Sequence, residues 1–189
     1  MKKKSFLLIL IIFSISITNV LGQVYLTRNG KITFFSQAPL ENIEAINNDV
    51  TSILDTKKGE FAFVVLIKSF RFKKALMQEH FNENYMESKT FPKAIFKGNI
   101  TDLNKIDFAK DGSYPVTVTG DLTIHGVTKK IEVPGTISIV QGKIAGASKF
   151  PVTVKDYNIK IPSIVVNKIA ETVEVSVDCK YDDVFKKSE

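Results

Sequence analysis

The sequence is poor in the residues from which most catalytic and metal sites are built. It holds one cysteine, Cys179, and two histidines, His80 and His125. A single cysteine permits no internal disulfide even in an oxidising compartment, so stability must come from the core. Neither histidine stands within a Cys, His or acidic cluster at ligand spacing, and no metal site is expected. There is no nucleophile elbow, no glycine loop of the kind that cradles phosphate, and no evident pairing of serine or cysteine with histidine. The chain therefore reads as a non-enzyme that needs no cofactor. Its lysines are scattered through strands and turns and form no stripe, which argues against a nucleic-acid partner. Internal repeats and low-complexity linkers are also missing.

What is present begins with Met1-Lys2-Lys3-Lys4, an apolar run from Phe6 to Ile17, and Val20-Leu21-Gly22 before Gln23. The run is shorter than the ~20 residues of a spanning helix. With its basic start it reads as a secretory signal peptide over 1–22, cleaved after Gly22; the alternative is an uncleaved anchor. No cysteine follows the cleavage point, so a lipoprotein anchor is not expected. Export to the periplasm or beyond the cell follows from this reading. Cleavage removes 22 of the 189 residues, leaving 167 as one domain, 23–189, and the loss of three lysines takes the formal charge from +6 to +3.

That domain reads as all-β. From Tyr114 to Ile124 apolar residues and glycine alternate with Thr117, Thr119, Asp121 and Thr123, the pattern of a strand with one dry face. His125-Gly126 then offers a tight turn into a second run, Val127 to Val133, so the stretch predicts a hairpin. Upstream, Val24–Leu26 and Ile32–Phe35 flank Asn29-Gly30, as a hairpin or as one strand with a bulge. Leu40–Ile46 and Val50–Leu54 read as two short pieces around Asn47-Asn48-Asp49. Phe61 to Phe72 is apolar on both faces, which requires cover on both sides. The period then changes: Leu76, Met77, His80, Phe81 and Tyr85 share one face of an amphipathic helix over Lys74–Met86, which predicts a helix packed on the barrel as that cover. Strands are further expected over Lys93–Ile100, Thr136–Val140, Lys143–Ala147, Val152–Ile161 and Val173–Tyr181, with a frayed tail after Asp182. Eight to ten strands with short turns make a sandwich or a closed antiparallel barrel, and periodicity does not separate the two.

In a closed barrel Phe63, Val65, Phe96, Val118, Leu122 and Ile124 point inward. Such an interior is just wide enough to be filled by side chains or to hold one small ligand, and on the residues alone the filled core is the simpler reading. Gly98 and Gly120, also inward, would leave room or mark bulges. Cys179 lies on the apolar face of the last strand, where a thiol is usually an inert small hydrophobe. His125 reads as a turn residue and His80 as a partly buried helix residue, with a head-group contact by either as a weaker option.

Gly120 to Val133, GDLTIHGVTKKIEV, resembles the signature hairpin of the YceI-like family of exported lipid-binding proteins. Met77 to Ile100 resembles that family's helix and following strand entry, and Leu54 to Phe70 the strand before it. The resemblance implies a lipocalin-like antiparallel barrel of about eight strands with one amphipathic helix packed against it. It further implies a long-chain amphiphile, a polyisoprenoid or fatty-acid derivative, held in the interior by an exported carrier or reservoir, and it turns the six inward residues into a candidate lipid-binding lining. Transient membrane contact would accompany such a role. The competing reading is a secreted solid-core barrel acting as an interaction or stress-response module. Gln23 to Asp55 matches the family loosely, and Phe150 to Ile161 lacks the more polar pattern expected there.

Overall fold

The computed structural model describes residues 23–162, 167 and 169–184; the expected signal peptide lies outside them. Ten strands follow one another: β1 (Val24–Gln37), β2 (Asn42–Asp55), β3 (Glu60–Leu66), β4 (Arg71–Phe72), β5 (Lys93–Ile100), β6 (Gly112–Ile124), β7 (Val127–Val140), β8 (Lys143–Thr153), β9 (Thr172–Tyr181) and β10 (Asp183–Val184). Eight of them close an antiparallel barrel in the order β1-β2-β3-β5-β6-β7-β8-β9, with β9 returning to β1. The remaining two are short additions, β4 on β2 and β10 on β1. Closure leaves no long unpaired edge, which settles the choice between sandwich and barrel.

Turn chemistry sets the two tightest hairpins. His125 (φ 50°) and Gly126 (φ 74°) join β6 to β7, and Gln141 (φ 51°) and Gly142 (φ 74°) join β7 to β8. Positive φ at both central positions gives a turn whose twist matches the strands it joins. The β6–β7 ladder then runs without a break from Ile124↔Val127 to Gly112↔Ile139.

Several local expectations are revised. Asn29-Gly30 is no hairpin: β1 is one strand whose register against β2 shifts between Thr27 and Ile32, the bulged alternative. Asn47-Asn48-Asp49 makes no turn between strands either. Asn47 is fully buried, its side-chain NH2 donates to Leu66 O (2.9 Å) and its carbonyl accepts from Asp49 N (2.8 Å), so the side chain satisfies backbone groups at a bulge inside β2. The run Phe61–Phe72 breaks at a 3₁₀ turn over Ile67–Ser69 before resuming as β4. Thr136–Val140 continues β7 through Pro134 rather than starting anew, and Val152–Ile161 leaves the sheet after Thr153. Asp183 and Val184 pair with Leu26 and Tyr25, so the tail is ordered that far.

The interior has two halves. The lower one, at the end carrying the Gln141-Gly142 turn, is packed solid by Leu54, Phe61, Val116, Ile137, Ile139 and Ile144, and Ile106 from the β5–β6 connection seals it. Burial of each such side chain contributes ~1.5–3 kcal/mol. Within it the Ser52 and Tyr181 hydroxyls bond each other at 2.8 Å, leaving neither orphaned. The upper half encloses a cavity.

Candidate functional site: an apolar cavity under a helical lid

Above the packed floor lies a cavity of about 510 Å³, within the ~300–1,000 Å³ usual for small-molecule sites. The six inward residues read from the sequence all line it: Phe63 and Val65 from β3, Phe96 from β5, and Val118, Leu122 and Ile124 from β6. Register brings them together, since Phe63 pairs with Phe96 and Phe96 with Leu122. The Phe63 and Phe96 rings meet edge to face at 6.2 Å.

Gly98 and Gly120 are inward but do not open the space. They face each other across β5 and β6. A Cβ on Gly120 would collide with Lys97 O, with Gly98 Cα at 2.5 Å and with the tip of the Phe96 ring at 2.7 Å. The pair lets two backbones approach closely, and the Phe96 ring covers the gap.

The roof is helical. A short α-helix, α1 (Ala75–His80), runs directly into a wider π turn over Phe81–Tyr85; such turns are frequent at functional sites. Neither part holds a fully buried residue. Met77, Phe81 and Tyr85 of the expected apolar face line the cavity from half-buried positions, and Leu76 and His80 line it at the rim from exposed ones. The helix thus spans the mouth instead of covering the outer face of β3. What seats it is Phe81, whose ring lies 5.4 Å from Phe34, 5.6 Å from Phe70 and 5.0 Å from Phe72. Sequence reasoning missed this four-ring cluster, because its members come from a strand, a loop, β4 and the roof. The excess of phenylalanine, 14 residues, was the available signal.

One side wall is incomplete. The β7–β8 ladder stops at Gly135↔Ser148, and Pro134, just above, has no N–H to continue it. Its carbonyl takes the Ser148 hydroxyl instead (2.6 Å). Over the slot between upper β7 and upper β8 lies the segment Val154–Ile161, a 3₁₀ turn ended by Asn158 at φ 57°. Tyr157 and Ile159 from it are buried with Val152, Leu122 and Met86. His125 clasps this flap: Nδ1 lies 3.2 Å from Tyr157 O, Phe91 packs on the ring at 4.5 Å, and Nε2 stands 3.3 Å from Glu87 Oε1 without hydrogen-bond alignment.

Polar lining is sparse. On β7 and β8 it is Thr136 and Ser148; at the mouth it is Ser36, Glu41, Lys74, His80 and Tyr85. Ser36 Oγ accepts from Ala170 N (2.9 Å), and Lys74 Nζ meets Glu41 Oε1 at 2.7 Å. Burial raises the Tyr85 pKa, so its hydroxyl stays a neutral donor. Cys179 is buried below the cavity beside Tyr181, and burial pushes its thiol up to about 12, as fits an inert core residue. Among the described residues, no three His, Cys, Asp or Glu side chains converge to hold a metal ion.

Solved structures share this architecture at low identity. A polyisoprenoid binding domain from Saccharophagus degradans implicated in plant cell wall breakdown matches with TM-score 0.70 and 16% identity, over 84% of this chain and 97% of that one. Burkholderia cenocepacia BcnA gives 0.66 and 19%, over 79% and 94%. A Campylobacter jejuni YCEI protein gives 0.61 and 17%, over 80% and 90%. Among curated proteins none matches. The family model for the YceI-like domain matches residues 16–181, nearly the whole barrel from β1 to β9, and the chain therefore belongs to the YceI-like family.

Proposed function

We propose that this protein binds a long-chain amphiphile, a polyisoprenoid or fatty-acid derivative, in its upper cavity and serves as an exported carrier or reservoir. One observation carries the reading: a closed barrel holds an apolar hollow of about 510 Å³. An empty apolar hollow of that size is a loss of packing that a filled core would avoid. Phe63, Val65, Phe96, Val118, Leu122 and Ile124 are the proposed tail contacts. The family and the polyisoprenoid binding neighbour support a lipid ligand and a binding role rather than a catalytic one.

Withdrawing a chain from water gains about 0.8 kcal/mol per methylene, so ten buried carbons offer roughly 8 kcal/mol. A bilayer offers nearly the same. The protein competes with membrane only through packing and head-group contacts, which suits passage or storage across an aqueous compartment. Export rests on the sequence reading of residues 1–22.

The test is mass spectrometry of an organic extract of the folded protein beside native mass spectrometry of the intact chain. A long-chain species bound one to one is expected. Recovery of the bare chain alone, even after incubation with prenyl and acyl amphiphiles, would overturn the reading in favour of a surface-acting module.

A further inference from the structure

The polar side chains at the mouth are unevenly balanced. Glu41 is the one carboxylate lining the cavity among the described residues, and Lys74 already holds it at 2.7 Å. An ammonium group carries three donors, so Lys74 keeps two beyond that contact. His80 and Tyr85 also line the cavity, and among the described residues neither the His80 ring nor the Tyr85 hydroxyl has a hydrogen-bond partner. Just outside, the exposed Lys68, Arg71 and Lys73 are matched by the exposed Glu79 and Glu83 of the roof and by Glu44, 4.0 Å from Lys73. What the mouth has to spare is donors, on Lys74, His80 and Tyr85.

Resting on the binding function above, we infer that the mouth selects an amphiphile with an anionic, acceptor-bearing head group, a carboxylate or a phosphate monoester. It lies at Lys74, His80 and Tyr85 with the tail running down to Phe63 and Phe96. A cationic head finds the Glu41 carboxylate already engaged by Lys74 and must stand beside that ammonium group. An alcohol is matched by hydrogen bonding alone. The geometry orients the ligand as well, because among the described residues the charged groups lining the cavity, Lys74 and Glu41, stand at its mouth, while the Ser52 and Tyr181 hydroxyls at the floor bond each other.

The experiment is a displacement titration of the full-length folded protein, delipidated, with ligands of one chain length ending in carboxylate, phosphate monoester, alcohol or trimethylammonium. Carboxylate and phosphate are expected to bind roughly three- to ten-fold tighter than the alcohol, the range for a partly exposed charge-assisted contact, with trimethylammonium weakest. The advantage should shrink with added salt. Lys74→Met should bring the carboxylate-to-alcohol ratio close to one, and Tyr85→Phe should lower it partially. Comparing carboxylate with phosphate distinguishes the two anionic sources. Equal affinity for all four heads would overturn this inference while leaving the cavity reading intact; binding of none would overturn the cavity reading itself.

Discussion

At the scale of single residues, close packing decides what each position tolerates. Gly120 shows this best: it has ordinary backbone, and only the approach of Lys97 O, Gly98 Cα and Phe96 forbids a side chain. Gly120→Ala is therefore expected to cost roughly 1–3 kcal/mol, read as a lower urea midpoint, and a midpoint equal to the wild type would refute the close approach. A cavity-filling test belongs on a true lining position instead. Val118→Phe should weaken binding of a long-chain probe while the protein remains folded, judged by titration beside circular dichroism. Cys179 supplies a pH dependence. Its thiol ionises at about 12 in the fold, against 9.0 ordinarily, because burial disfavours the thiolate. Between those values the unfolded chain gives up the proton and the native one keeps it, so unfolding becomes easier as pH rises. The Cys179 contribution should be constant near pH ~8 and fall above 9, so stability should decline less steeply in Cys179→Ala, with denaturant melts of both proteins at pH 8, 10 and 11 as the check.

At the scale of elements, what was legible in the sequence was what local chemistry demands. His125-Gly126 and Gln141-Gly142 announced their turns because few residue pairs accept two consecutive left-handed positions, and alternation in β6 and β9 announced one buried face. Bulges carry the same residues as turns, so Asn29-Gly30 and Asn47-Asn48-Asp49 could not be told from hairpins without the partner strand. The flap departs from the strand expected there because its apolar positions change phase, from Val152 and Val154 to Tyr157, Ile159 and Ile161, around a 3₁₀ turn that ends at the left-handed Asn158. The helix was found by its period, but its place over the mouth is set by Phe81 meeting three rings from distant segments. Roof and flap should consequently move apart from the barrel. Phe81→Ala should raise amide exchange over Ala75–Tyr85 far more than over β6 and β7, whereas His125→Ala should raise it over Val154–Ile161. Uniform change across the barrel in either variant would show that these covers are not separate units.

For the whole molecule, the division into a packed half and a half that encloses a cavity reconciles the two readings of the inward residues. Leu54, Ile139 and Ile144 form a core of the usual kind. Phe63, Phe96 and Leu122 line the cavity, and Phe61, Val116 and Ile137 belong to both, packed in the core and lining the cavity floor. The same alternation describes both sets, so the boundary between core and cavity was invisible in the sequence. It is drawn by what closes each end: Ile106 and the Ser52–Tyr181 pair below, the thin helical roof above. A saturating long-chain ligand should raise the melting temperature, since at a hundred times its dissociation constant it adds about 2.7 kcal/mol. Absence of any shift with a ligand shown to bind would mean that the unfolded chain takes it up equally.

A sealed floor makes the barrel a cul-de-sac. A guest that has gone in tail first must back out along the same path, and a newcomer has no rear entrance from which to push it. Under the proposed binding function, exchange would be dissociative: the departure rate of one occupant would be independent of how much of the next is waiting.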